Sequence, residues 1–234
     1  MSDKIRSGIS AGGISAGGMT AGGTITGGMT AEAILAECDA LLHGHFLYTS
    51  GRHGEIYMQC AKVQQYPQHM EAIAKIIADG FKNEKVDMVI APAIGGIVLG
   101  YELARQLNAK AIFAERQASD VVTPAASAGG SASSGAGKMT LRRGFEIPKG
   151  ARVVAAEDVV TTGGSVMEVM DIVKECGGEL VGVGIIVDRT GGEIDLGTKL
   201  VSAYSKKITS YAADECPLCK EGVPIMKPGS RAQV

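Results

Sequence analysis

The chain has 234 residues, 45% of them hydrophobic, which is enough to bury the core of one good-sized domain or at most two small ones. A formal net charge of -2 gives no electrostatic footprint for nucleic acid or for an anionic membrane surface. No apolar run is long enough to cross a bilayer, the first thirty residues lack the apolar stretch of a secretory signal, and five cysteines make an odd number. These features together predict a cytoplasmic protein with reduced thiols, binding neither nucleic acid nor membrane.

Residues 7–30 repeat a theme of about five residues ending in Gly-Gly, with single Ile or Met residues between the diglycines. That period is far below the twenty or more of a solenoid, and the composition predicts a flexible tail over residues 1–29. The folded part, 30–234, starts with Thr30 as N-cap of a helix whose core face holds Ile34, Leu35, Cys38, Leu41 and Leu42. Residues 46–63 read as turn and strand. Pro67 suits the first turn of a helix carrying Met70, Ile73, Ala74, Ile77 and Phe81. A strand over 86–91, a helix from Gly95-Gly96 through Leu107 and a strand over 109–114 follow. A second Gly/Ser/Ala stretch, at about 117–137, then interrupts the domain as a flexible loop insertion. Beyond it come a strand over 152–160, a helix stopped by Gly177-Gly178 and a strand over 180–187. Apolar, β-branched strands alternating with amphipathic helices predict an α/β fold with a mainly parallel sheet flanked by helices. Such sheets bind ligands beyond the carboxyl ends of their strands.

The most informative segment is Glu157-Asp158-Val159-Val160-Thr161-Thr162-Gly163-Gly164-Ser165. A strand ends in two carboxylates, turns tightly through hydroxyls and glycines, and gives way to a helix. Glycines let backbone N–H groups converge on a phosphate, the helix N-terminus adds partial positive charge, and the hydroxyls donate further bonds. The carboxylates can accept hydrogen bonds from ribose hydroxyls or help to hold a hydrated Mg²⁺. The spacing is neither a Walker loop nor the dinucleotide pattern. A Thr cap with turn glycines would also suit an ordinary strand-to-helix connection, but the Glu-Asp pair at the strand end argues for a ligand.

This segment resembles the signature of the type I phosphoribosyltransferases, which bind phosphoribosyl pyrophosphate (PRPP). Other segments resemble the orotate phosphoribosyltransferases in particular: Gly44-His45-Phe46 to Ser50-Gly51-Arg52-His53, Ala91-Pro92-Ala93-Ile94-Gly95-Gly96, Gly137-Lys138 to Gly144-Phe145, and Val187-Asp188-Arg189. A tail from Asp214-Glu215-Cys216-Pro217-Leu218-Cys219 to Ser230 resembles a bacterial branch of that family. The resemblance implies the type I phosphoribosyltransferase fold with a small N-terminal hood. It implies transfer of the phosphoribosyl group from PRPP to orotate with Mg²⁺, giving orotidine 5'-monophosphate and pyrophosphate in pyrimidine biosynthesis. The segment from Glu157 through Ser165 would bind PRPP with Arg116. Thr161 and Arg189 would meet orotate. Lys138, on a loop contributed across a homodimer, would be the catalytic lysine, and Mg²⁺ would enter through PRPP rather than on protein ligands.

Some features depart from that pattern. The stretch at 117–136 is far longer than this branch usually carries, Thr49 stands where a lysine often precedes Ser-Gly-Arg, and Gly95 stands in place of a pyrophosphate-contacting lysine. Arg142 and Arg143 are further loop cations. Cys216-x-x-Cys219 has metal-ligand spacing, but a structural zinc normally takes two such pairs, and His43, His45, His53 and His69 form no recognisable array. A phosphoribosyltransferase for another base, or a PRPP-binding regulator without turnover, would share the phosphate turn. A neutral base gives Arg189 no carboxylate to bind, and a regulator would usually add a DNA-binding segment.

Overall fold

The computed structural model describes residues 29–48, 50–117 and 137–228. The repeat-bearing tail expected over 1–29 and the insertion expected at about 117–137 lie almost wholly outside the described residues. Among those described, no helix is long and apolar enough to cross a membrane.

The chain opens with α1 (Ala31–Glu37), capped by Thr30, whose Oγ1 accepts from the Ala33 N–H at 3.2 Å. The expected continuation of this helix to Leu42 does not occur. Asp39 turns the backbone to φ 51°, a left-handed conformation that Asp tolerates better than most residues, and Leu41 and Leu42 enter a strand instead. That strand, β1 (Leu41–Leu47), pairs antiparallel with β2 (His53–Met58) as a two-stranded hood. A short helix, α2 (Cys60–Gln64), replaces the end of the expected strand, and α3 (Pro67–Asp79) follows with proline in its first turn.

The main sheet has six strands in the order β5-β4-β3-β6-β7-β8. They are β3 (Met88–Pro92), β4 (Lys110–Arg116), β5 (Met139–Leu141), β6 (Arg152–Val160), β7 (Glu179–Asp188) and β8 (Leu200–Ser205), all parallel to their neighbours except the edge strand β5. Helices α4 (Ile97–Leu107) and α5 (Gly164–Glu175) cross between strands, and a single turn, α6 (Pro217–Lys220), lies near the end. Neither edge strand, β5 nor β8, was expected. β5 has only three residues, and in β8, Leu-Val-Ser-Ala-Tyr-Ser, two serines break up the apolar run that marks a central strand.

Strand alternation divides the core in two. Val89 and Ala91 of β3, Val154 and Ala156 of β6 and Ile186 of β7 face Ile73, Ile77, Leu99 and Leu103 from α3 and α4. Ile90, Val153, Ala155, Val183 and Ile185 face the other way, onto Val166, Val169, Met170 and Val173 of α5. Helices therefore cover both faces, as the apolar strand runs require. The connections leave β3 in one direction for β4 and return on its other side as β6. The switch point falls between the carboxyl ends of β3 and β6, where a crevice opens. Leu103 is fully buried in the first core layer. Leu103→Ala is expected to lower unfolding stability by about 2–5 kcal/mol, read as a lower urea midpoint with unchanged slope.

Candidate active site

At the end of β6 the backbone runs from Glu157 and Asp158 into the turn that begins α5. Gly163 caps that helix at φ 79°, and a Cβ there would lie 3.0 Å from Ile194 Cδ1, so both conformation and space favour glycine. Thr161, Thr162, Gly163, Gly164 and Ser165 line a cavity of about 220 Å³ that Arg116 and Glu168 close on the far side. The first turn of a twelve-residue helix thus presents N–H groups to a concave space with hydroxyls around it.

Glu157 is 7% exposed, and burial, reinforced by the neighbouring Asp158 charge, pushes its carboxyl up to about 8 from an ordinary 4.5. Its Oε1 accepts from the Asp158 N–H at 3.1 Å, and Asp158 Oδ1 accepts from the Val159 N–H at 2.8 Å. The loop after β3 comes in close here. A Cβ on Gly95 would sit 2.8 Å from Asp158 Oδ2, so the absence of a side chain at Gly95 lets the two crossover loops meet.

Arg116, at the end of β4, makes a paired contact with Glu168 of α5 at 2.7 and 3.0 Å, which holds its guanidinium at the phosphate cavity. Lys138 lies elsewhere. Its ammonium pairs with Glu175 at 3.3 Å, both groups exposed, at the opposite end of α5 from the turn. Eleven residues of helix at 1.5 Å each put that contact about 16 Å from Gly164. Arg143 pairs with Glu115, and Arg142 lines neither chamber described here.

A second chamber of about 550 Å³ adjoins the first and shares Thr161 and Thr162 with it. Arg189 lines it, together with Tyr48, Tyr57 and Ser210. Neither Asp188 nor Glu193, the obvious local partners, binds the Arg189 guanidinium. Asp188 is committed to Thr190, Gly192 and Ser205, and Glu193 to Lys207. Arg189 makes no salt bridge among the described residues, its Nε is buried without a hydrogen-bond partner, and the guanidinium lies 5.3 Å from the centroid of the Tyr48 ring. Burial pushes the Tyr48 hydroxyl up, against the opposing effect of Arg189, and that hydroxyl donates to the Ile56 carbonyl at 2.6 Å. An unsatisfied guanidinium nitrogen in a chamber beside a phosphate turn is a site for a planar anion.

The arrangement unites Arg116, the segment from Glu157 through Ser165, and Arg189, but not Lys138. Sequence reasoning missed Tyr48 and Ser210 as chamber walls. They approach only because the hood folds over the sheet and Arg52 ties to Ser210 through Nε to Oγ at 2.8 Å. It also missed Glu168, whose i,i+4 spacing from Gly164 on the first turns of α5 was the available signal.

Comparison with known proteins agrees with this geometry. The phosphoribosyl transferase domain matches residues 61–210. The orotate phosphoribosyltransferase of Caldanaerobacter subterraneus subsp. tengcongensis is 50% identical over 198 residues, covering 85% of this chain and 95% of that protein. That of Caldicellulosiruptor saccharolyticus is 51% identical over 195 residues, covering 83% and 93%. Among solved structures, orotate phosphoribosyltransferase from Aeropyrum pernix superposes with a TM-score of 0.58 at 23% identity, covering 76% of this chain and 94% of that one. Adenine phosphoribosyltransferase from Rhodothermus marinus gives 0.56 at 18%, covering 76% and 100%, and these two likenesses speak for the fold alone. With a domain match over most of its folded part and relatives this similar along nearly their whole length, the chain belongs to the orotate phosphoribosyltransferase branch of the phosphoribosyl transferase family.

Proposed function

We propose that this chain transfers the phosphoribosyl group of PRPP to orotate, releasing pyrophosphate and forming orotidine 5'-monophosphate. The observation that carries the choice of base is Arg189, a guanidinium without a carboxylate partner among the described residues, in the chamber next to the phosphate turn. Orotate brings the carboxylate that this group lacks, and the face of Tyr48 helps to fix the guanidinium plane.

In this reading the 5-phosphate of PRPP rests on the N–H groups and hydroxyls from Thr161 to Ser165, with Arg116 opposite. Glu157 and Asp158 accept hydrogen bonds from the ribose hydroxyls. Thr161 and Thr162, common to both chambers, sit where sugar and base join. A ring nitrogen of orotate attacks C1 of the ribose while the C1–oxygen bond to the diphosphate breaks. The transition state resembles a ribosyl cation, so the protein contributes chiefly by aligning the two reactants and keeping water away.

Two carboxylates, Glu157 and Asp158, are the hard oxygen donors this cleft offers to Mg²⁺, and they fit an ion carried in by the substrate. Held by these two carboxylates and the substrate, such an ion would supply positive charge against the leaving diphosphate. Lys138 supplies a further cation only if its loop leaves Glu175, and a neighbouring subunit in a homodimer is the reading that brings it to a cleft.

Mixing the protein with PRPP and Mg²⁺ is expected to consume orotate absorbance and leave adenine, hypoxanthine and uracil untouched. Turnover of another base, or of none, would sink this assignment. Arg189→Ala is expected to raise KM for orotate about 10- to 100-fold, the worth of a charge-assisted hydrogen bond, and to change KM for PRPP by less than about threefold. Arg189→Lys should not restore it, because an ammonium lacks the planar fork.

Glu157 gives a prediction about pH. Its folded-state value is raised, so the folded protein holds a proton that the unfolded chain releases. The stability this contributes is complete below 4.5 and is lost as pH rises to about 8. Glu157→Gln removes the buried charge at constant shape. Across that interval the thermal midpoint of the variant should fall less than that of the unmodified protein, by several degrees. Parallel profiles would show that Glu157 does not titrate in this range.

A further inference from the structure

The hood carries a cluster with no place in the reaction. His45 on β1 and His53 on β2 meet Cys216, the N-cap of the turn α6, and Cys219 within it, near the end of the described residues. One ligand atom from each of the four lies within 4.8 Å of every other. The separations are 3.1 Å from His45 Nε2 to His53 Nδ1, 3.2 Å from His53 Nδ1 to Cys219 Sγ, and 3.5 and 3.6 Å from His45 Nε2 to the two sulfurs. A tetrahedral zinc with bonds of about 2.3 Å to sulfur and about 2.05 Å to nitrogen has edges of about 3.3 Å between nitrogens and about 3.6 Å from nitrogen to sulfur. The four observed edges lie close to those lengths.

The surroundings agree with the distances. His45 Nδ1 lies 2.7 Å from the Val223 carbonyl, a contact that assigns the ring proton to Nδ1 and leaves the Nε2 lone pair facing the sulfurs. His45, His53 and Cys216 are buried, and no disulfide joins the cysteines. Each thiol carries one proton and His45 Nε2 one lone pair, so two-centre hydrogen bonds account for at most two of the four contacts, whereas one cation accounts for all four. Two thiolates, two imidazoles and tetrahedral edges are the donor set of zinc in a closed, structural site.

We propose that His45, His53, Cys216 and Cys219 bind one zinc ion, which staples the C-terminal segment to the hood. The backbone already runs in that direction. Leu47 N–H donates to the Met226 carbonyl, Met226 N–H donates to the His45 carbonyl, and His53 and Tyr211 exchange both bonds. Tyr48 and Ser210, one from each stapled segment, are walls of the Arg189 chamber. Zinc therefore holds the base side of the site in shape, and the phosphate turn does not depend on it.

The test is metal analysis of the full chain purified under reducing conditions without chelator, followed by removal of metal and titration with Co²⁺. Expected are about one zinc per chain, and on titration a thiolate-to-cobalt charge-transfer band with intense tetrahedral ligand-field bands that saturate at about one equivalent. Chelation should lower the melting temperature by on the order of 10 °C, reversed by zinc. The Cys216→Ser, Cys219→Ser double variant should bind neither metal; if it does not fold, the cobalt titration of the unmodified chain decides. Metal-free protein with no cobalt spectrum, weak octahedral bands, or a Cys216–Cys219 disulfide in fresh reduced protein would each overturn the site. A rise in KM for orotate on chelation, with KM for PRPP unchanged, rests on the reaction proposed above, while metal content and spectrum do not, so the two readings fail separately.

Discussion

The carboxylate of Asp188, 1% exposed at the end of β7, accepts hydrogen bonds from Thr190 N–H, Thr190 Oγ1, Gly192 N–H and Ser205 Oγ at 2.6–2.8 Å. A buried carboxylate without such partners would cost several kcal/mol or take up a proton. With them, it curls the loop after β7 into a fixed shape and ties it to β8. Its other consequence falls on the next residue. Because Asp188 is fully occupied, Arg189 makes no salt bridge among the described residues, and it lines the chamber with its Nε unbonded.

The same division of labour recurs across the cleft. Glu168 is spent on orienting Arg116, and Glu193 on Lys207, so the remaining acidic groups at the crevice are Glu157 and Asp158. Carboxyl oxygens therefore gather at the middle of the crevice, with the Arg116 and Arg189 guanidinium groups in the two cavities beside it. The neighbouring chambers meet at Thr161 and Thr162, so one short turn sets the distance between them. That is how a structure with little covalent chemistry to perform accelerates a reaction, by fixing separation and orientation in advance.

Much of this was legible in the chain. The core faces of α3 and α5, the bounds of β6 and the phosphate turn all follow from local periodicity and turn chemistry, which neighbouring residues carry among themselves. The failures have physical causes too. Leu41 and Leu42 fit the apolar phase of a helix and of a strand equally well, and only the left-handed turn at Asp39 separates them. The edge strand β8 carries two serines among its six residues and so lacks the unbroken apolar run that makes a central strand readable. The paired histidines and cysteines were visible as residue types, but their convergence depends on contacts 171 positions apart, which no local pattern encodes. The partnerless state of Arg189 likewise depends on where Asp188 turns.

The hood has its own order of assembly. Hairpin β1–β2 precedes the main sheet in the chain, but its outer hydrogen bonds are completed by Tyr211 and Met226, which follow the sheet. The parallel sheet and the phosphate turn are whole once β8 has emerged. The cavity at residues 161–165 can therefore form before the Arg189 chamber has closed. Pairings of such long span are slow to form. The Arg189 chamber thus rests on pairings that form after the sheet is whole, and loss of residues 211–228 would open it before it disturbed the turn at Thr161.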